Sequence, residues 1–144
     1  MNDSNDTTVT LPAHDKTSID CRFWTPKQPD GPATIQILHG LGEHADRYER
    51  FAKAANARGY AVVAHNHRGH GALAARRGSF GAKDGWDLLE ADALTVREEI
   101  DRRFDERPVV LLGHSMGSFA AQYYAMHYGG RLRAMILSGS GWPS

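Results

Sequence analysis

Apolar and polar residues follow two different periods along the chain, and these predict both strands and helices. Apolar and polar residues alternate over residues 18–25, a period of two that is typical of a β-strand. With residues 9–11, this segment predicts an antiparallel hairpin at one edge of a sheet. The polar residues 1–8 are expected to form a disordered tail.

The remaining pattern predicts four further strands and three helices. Short apolar runs predict strands at residues 33–38, 60–65, 108–112 and 134–137. Apolar residues at helical spacing predict helices at about residues 46–58, 84–104 and 116–128, with Asp84 as the cap of the second and Gly129-Gly130 ending the third. On the second helix, the face opposite the apolar one is expected to be solvated and carries Glu90, Arg97, Glu98 and Asp101.

Strands that alternate with helices predict the α/β class. We expect a mostly parallel sheet with helices on both faces and right-handed crossovers, in a single domain over residues 9–144. Three glycine-rich segments follow the ends of the predicted strands, at residues 39–44, 66–71 and 113–117. Because binding sites in such sheets form at the carboxyl ends of the strands, these segments are expected to lie close together.

Composition narrows the functional classes. The 144 residues carry 17 Lys+Arg and 17 Asp+Glu, a formal net charge of zero, which argues against general attraction to nucleic acid. Cys21 is the one cysteine, so no disulfide forms within the chain and a reducing, cytoplasmic location is expected. No signal peptide or transmembrane segment is recognisable in the sequence.

The segment Gly113-His114-Ser115-Met116-Gly117 has the composition of a nucleophile elbow. An apolar strand precedes it and a helix-prone run follows it, the context in which Gly-x-Ser-x-Gly exposes a serine hydroxyl above a sheet. Ser115 is therefore the candidate nucleophile. The free N–H groups at the start of the following helix would point at the reaction.

Acyl transfer also needs N–H donors for the oxyanion. The residue after the nucleophile, Met116, normally supplies one donor, and the loop after the third strand supplies the other. That loop is His39-Gly40-Leu41-Gly42, with Leu41 as the candidate donor. We interpret His39, Gly40, Gly113 and Gly117 as residues that support these two motifs.

The other histidines have competing interpretations. His65, His67 and His70 could bind a metal, but Arg68 between them disfavours a cation, and a hydrogen-bonded loop is the preferred interpretation. Glu43 and His44 either cap the following helix or line the site. His114 is expected to support the elbow and not to act as the general base.

With these motifs together, the chain resembles the α/β-hydrolase superfamily. Gly42-Glu43-His44, followed by Arg47-Tyr48, is similar to the monoacylglycerol lipase and lysophospholipase branch, which is often placed under a serine aminopeptidase S33 heading. The resemblance implies a serine hydrolase of carboxylic esters that acts through an acyl-enzyme on a small acyl-ester or lipid substrate, without cofactor or metal. The sequence departs from the branch at Asn66, where the branch usually has aspartate.

The order of the catalytic triad exposes a second departure. In this fold the acid and the histidine base follow the serine, yet no Asp or Glu follows Ser115. The one later histidine, His127, would lie roughly 18 Å away along the helix. We therefore expect this sequence to be the amino-terminal half of a hydrolase, inactive alone, whose acid, base and lid lie elsewhere.

Two other functions remain compatible with the sequence. One is a non-catalytic remnant of a hydrolase, and the other is a peptidase or amidase on the same scaffold. Peripheral membrane contact through a lid also stays open, as does the oligomeric state.

Overall fold

A computed structural model of the chain describes residues 4–141. It contains one six-stranded sheet in the order β1-β2-β4-β3-β5-β6. The strands are β1 Ser4–Pro12, β2 Ser18–Pro26, β3 Thr34–Leu38, β4 Ala61–His65, β5 Val109–His114 and β6 Ala134–Ser138. The helices are α1 Glu49–Asn56, α2 Gly85–Arg103 and α3 Met116–Tyr128, with short 3-10 turns at Ala45–Tyr48 and Gly129–Arg131.

The predicted α/β architecture with an antiparallel hairpin is confirmed. β1 and β2 pair antiparallel at one edge of the sheet, and β2 joins the parallel strands through an antiparallel pairing with β4. β3 pairs in parallel with both β4 and β5, and β5 pairs in parallel with β6. The glycine-rich segments after β3 and β5 are therefore direct neighbours at one end of the sheet.

The helices cover both faces of the sheet. On one face α1 packs over a cluster of buried residues that comprises Trp24, Ile35, Ile37, Ala45, Ala52, Val62 and Ala64. On the other face α2 and α3 pack over a second layer that includes Leu38, Ala93, Leu111, Ala121 and Tyr124. β3 is buried along its whole length, and the loop that follows it is consequently held on a rigid base.

Residues 4–8 do not form the expected tail. They belong to β1, which extends to Ser4 and pairs with β2 up to Pro26; residues 1–3 lie outside the described residues. Polarity alone misled the prediction, because residues 5–8 are exposed on both faces of this edge strand, where polar residues such as Thr7 and Thr8 are accepted.

Three local expectations were wrong in part. The first helix begins as a 3-10 turn and ends at Asn56. Asp84 precedes α2 as expected, but its side chain makes no capping hydrogen bond and its backbone is left-handed with φ of 53°. The α3 helix ends at Tyr128 as predicted, and Gly129-Gly130 then forms part of a 3-10 turn.

Arg97 is the third, since it is buried and not solvated. Its guanidinium binds the Asp101 carboxylate at 2.8 Å and the Arg131 carbonyl oxygen at 2.7 Å. These two acceptors compensate the guanidinium for its loss of hydration. The spacing of charges along the helix did not reveal that Arg97 would be buried.

β6 forms the other edge of the sheet, and all five of its residues are exposed. Met135, Ile136 and Leu137 are among the exposed large apolar residues. The two edge strands of the sheet are therefore β1 and β6, and β6 is the one that exposes large apolar side chains.

Candidate active site

Ser115 lies in the tight turn between β5 and α3. Its φ of 52° and ψ of −120° make it one of the few residues other than glycine with a positive φ, a strained conformation that surrounding contacts must maintain. Its N–H donates to the Ser138 carbonyl oxygen at 2.9 Å, and its carbonyl oxygen accepts from the Ser118 hydroxyl at 2.6 Å. The turn is therefore fixed from both sides.

Two glycines allow this turn to pack closely. A Cβ on Gly113 would lie 2.7 Å from the Ser118 Cα, inside the start of α3. A Cβ on Gly117 would lie 2.6 Å from the Leu38 carbonyl carbon and 2.5 Å from the His39 oxygen. Such distances are not tolerated, so both positions require glycine for close backbone approach.

The loop after β3 contacts the turn at Ser115 directly. A Cβ built on Gly40 would lie 3.2 Å from the Ser115 Cβ. The Gly40 N–H donates to Glu43 Oε2 at 2.6 Å, and the Gly42 N–H donates to His70 Nε2 at 3.1 Å. Between them, the Leu41 N–H has no acceptor among residues 4–141.

Met116 provides the second free N–H near Ser115. As the first residue of α3, it has no preceding helical carbonyl to bind, and no acceptor for its N–H occurs in the described part of the chain. The sequence-predicted donors Leu41 and Met116 are thus unengaged N–H groups, one on the loop after β3 and one at the start of α3, on either side of Ser115.

Four histidines form a cluster behind the loop after β3. The rings of His39 and His67 are 4.2 Å apart, and those of His65 and His67 are 5.0 Å apart. His70 completes the cluster, 5.2 Å from His39. Hydrogen bonds tie the two loops together: the His67 N–H donates to His39 Nε2, and the His67 ring bonds the His39 carbonyl oxygen, both at 3.0 Å.

Burial keeps the centre of this cluster neutral. It lowers the pKa of His39 to about 4 and that of His65 to about 3, and it lowers the pKa of His67 well below its ordinary value. Neither nitrogen of His65 has a hydrogen-bond partner in the described structure. Within residues 4–141, no group of three or more His, Cys, Asp or Glu side chains is arranged to hold a metal ion.

Glu43 supports the loop and does not cap the following helix. Its carboxylate accepts from the Gly40 N–H and from the Tyr48 hydroxyl, and it pairs with Arg47 at 2.9 Å. Burial raises the pKa of Glu43, but these hydrogen bonds outweigh burial and lower it below its ordinary value. Gly40 is not the N-cap of a helix and has no hydroxyl side chain, so no capping-box signature in the sequence indicated this role of Glu43.

His44 makes no side-chain capping hydrogen bond either. Together with Leu41, Glu43, Asn66, His70 and Arg77 it lines a cavity of about 550 Å³ beside the loop. His114 lies at the elbow with its Nδ1 3.0 Å from the Ser138 hydroxyl. His127 binds Glu90 at 2.6 Å, away from the elbow on the surface of α3.

Asn66 is a supporting residue whose contacts the sequence did not indicate. Its Oδ1 accepts from the Ala45 N–H at 2.7 Å, and its Nδ2 donates to Asp20 Oδ2 at 3.1 Å. An aspartate at this position would place two carboxylates next to each other. The amide therefore fits the presence of Asp20 in β2.

We expect Asn66→Asp to destabilise the fold by about 1–2 kcal/mol above pH 6, because it removes a donor and adds like-charge repulsion. The double variant Asn66→Asp with Asp20→Asn should recover most of this loss, since the amide and the carboxylate simply exchange places. Urea unfolding of the two single variants and the double variant measures the coupling. Additive losses in the double variant would contradict the proposed pairing.

Within residues 4–141, no hydrogen bond joins the Ser115 hydroxyl to a histidine. Each histidine of the cluster behind the loop is engaged with neighbouring backbone or buried. In the described residues, the turn at Ser115 and the free N–H groups therefore lie together without a histidine bonded to the serine hydroxyl.

The fold and this elbow define an α/β-hydrolase. Residues 29–142 match the family described as "Serine aminopeptidase, S33", and the chain belongs to that family. No helix in residues 4–141 is long and apolar enough to cross a membrane.

Known proteins of two kinds are similar to this chain. It is 33% identical over 117 residues to the monoglyceride lipase of Homo sapiens, covering 81% of this chain and 37% of the relative. It is 35% identical over 116 residues to the monoacylglycerol lipase of Mycolicibacterium smegmatis, covering 81% of this chain and 40% of the relative. A thermostable carboxyl esterase from Bacillus coagulans, solved with glycerol, superimposes with a TM-score of 0.84 at 29% identity, over 94% of this chain and 44% of the esterase. The chain spans about two fifths of the length of these proteins.

Proposed function

We propose that this chain contributes the nucleophile and the oxyanion site of a serine hydrolase that cleaves carboxylic esters of the monoacylglycerol type. In this proposal Ser115 attacks the ester carbonyl, and the N–H groups of Leu41 and Met116 bind the oxyanion. The acid and base of the triad lie outside these 144 residues. A small acyl ester or lipid is the substrate, and no cofactor takes part.

One observation carries the proposal: the two free N–H groups lie on the loop after β3 and at the start of α3, and that loop contacts Ser115. A strained serine beside unengaged donors is costly to maintain and fits acyl transfer. The lipase relatives and the esterase fold support esters as the substrate class. The family description also names an aminopeptidase, so amide cleavage is the second candidate.

The test joins this chain to the carboxyl-terminal remainder of the Mycolicibacterium smegmatis lipase. We expect this chimera to hydrolyse a monoacylglycerol and short-chain p-nitrophenyl esters. Ser115→Ala should lower kcat by up to about 10⁶, the effect of removing the serine from a comparable triad. Ser18→Ala, which removes an exposed serine at the start of β2, is the matched control.

The 144-residue chain alone should turn over these esters no faster than its own Ser115→Ala variant, because a serine hydroxyl needs a base to remove its proton. Turnover by the chain alone would place a base within it. A folded chimera that is indifferent to Ser115→Ala would refute Ser115 as the nucleophile. Preference for an aminoacyl amide over the esters would favour the peptidase alternative.

A further inference from the structure

His39 has two hydrogen bonds that together determine where its proton lies. The His67 N–H donates to Nε2 at 3.0 Å, so that nitrogen carries no proton. Because burial lowers the pKa of His39 to about 4, the ring is neutral near pH 7. The proton therefore lies on Nδ1, which is 2.8 Å from the Gly40 carbonyl oxygen and donates to it.

The Gly40 carbonyl belongs to the same peptide unit as the Leu41 N–H. This peptide is trans, so its C=O and N–H point in opposite directions. A donor that holds the carbonyl toward His39 consequently turns the Leu41 N–H away from the histidine cluster. The Leu41 N–H is the one left without an acceptor between two engaged neighbours.

We propose that His39 is a positioning residue, which sets the direction of the Leu41 N–H through the Gly40–Leu41 peptide, and that His67 imposes the tautomer needed for this. The inference rests on the proposed function for its catalytic meaning. The orientation itself is independent of that function and is measured separately.

The Glu43 N–H is the competing donor, since it also reaches the Gly40 oxygen, at 3.2 Å. That contact is longer than the 2.8 Å contact from His39. It closes a turn within the loop, whereas His39 directly follows buried β3 and is held by His67 from the loop after β4. The buried side chain is therefore the more rigid of the two partners.

Two variants distinguish the hydrogen bond at Nδ1 of His39 from the hydrogen bond at Nε2. In His39→Asn the side-chain amide nitrogen occupies nearly the position of Nδ1 and retains a donor for Gly40. In His39→Gln the longer amide reaches toward the position of Nε2 and retains an acceptor for the His67 N–H, but loses the donor to Gly40. A general loss of packing would affect both variants alike.

The experiment measures residual dipolar couplings of the backbone N–H bonds in the 144-residue chain, labelled with ¹⁵N. We expect the Leu41 coupling to be preserved in His39→Asn and changed in His39→Gln, while couplings in β3 and α3 stay the same in both. The ¹⁵N shifts of the His39 ring should show the Nδ1–H tautomer at pH 7. An Nε2–H tautomer, or a Leu41 coupling unchanged in His39→Gln, would overturn the proposal.

Kinetics of the chimera give the functional readout. His39→Gln should lower kcat by roughly 10²-fold with little change in KM, because an oxyanion donor acts mainly on the transition state. His39→Asn should retain at least about tenfold more activity than His39→Gln. Equal kcat losses in the two variants would refute the positioning role even if Ser115 remains essential, whereas dispensable Ser115 would refute the proposed function alone and leave the orientation result standing.

Discussion

Gly117→Ala should lower the melting temperature of the chain by at least about 10 °C. The added Cβ would lie 2.6 Å from the Leu38 carbonyl carbon and 2.5 Å from the His39 oxygen. Both are backbone atoms of the buried strand β3 and its loop, so neither can rotate away as a side chain would. The start of α3 must move out, at a cost of about 4 kcal/mol, in the range of the largest single-residue effects.

Gly130→Ala is the matched control for this prediction. Gly130 lies just beyond α3, and a Cβ there would meet nothing within 4 Å. Because alanine restricts the unfolded chain, this change should be neutral or stabilise by up to about 1 kcal/mol. Thermal unfolding followed by circular dichroism compares the two variants. A Gly117→Ala protein that melts with the control would show that the elbow is not packed against the loop as described.

Acidification should unfold the chain at about pH 5, well above the pH at which carboxylates alone would have this effect. His39, His65 and His67 are buried and have lowered pKa values. Below the ordinary pKa of 6.5, these histidines are protonated in the unfolded chain but stay neutral in the folded chain. The free energy of unfolding therefore decreases as the pH is lowered. Each histidine lowers the free energy of unfolding by about 1.4 kcal/mol per pH unit below 6.5. Together the three lower it by about 6 kcal/mol at pH 5, which is comparable with the total stability of a domain.

His65→Leu tests the origin of this acid sensitivity. Since neither nitrogen of His65 has a hydrogen-bond partner in the described structure, the change sacrifices no hydrogen bond at pH 7. Urea unfolding between pH 7 and pH 5 should show a dependence on pH reduced by about one third. His14→Gln, at an exposed histidine of the β1–β2 turn, should leave the dependence unchanged. Equal pH dependence in all three proteins would exclude the histidine cluster as its cause.

Most strands and helices could be predicted from the sequence because their burial follows a simple period. β3, β4 and β5 have apolar runs that a parallel sheet must bury, and α3 follows a serine flanked by glycines. The sequence-based predictions failed where the hydrophobic period does not reflect burial or strand pairing. Residues 4–8 are polar yet pair at the sheet edge, and Arg97 is charged yet buried because Asp101 and the Arg131 carbonyl oxygen compensate it.

The sequence also indicated the candidate site, since Gly-x-Ser-x-Gly has a physical requirement at each position. It could not indicate how the supporting residues act. Glu43 had two equal interpretations, and Asn66 appeared only as a departure from its branch. Asn66 depends on a partner at a distant position, Asp20, which no local spacing encodes. Glu43 binds residues close to it along the chain, but in a pattern that matches no helix-capping motif.

By itself, the sequence determined the alternation of strands and helices and the place of Ser115 at a strand end. Local periodicity and residue chemistry suffice for these. The tertiary structure decided that the loop after β3 lies against Ser115, because strand order makes β3 and β5 neighbours. It also decided the proton position on His39, since that depends on a backbone N–H 28 residues away. The packing of the whole sheet sets which distant segments pair. The direction of the Leu41 N–H depends on such a pairing, between the loops after β3 and β4.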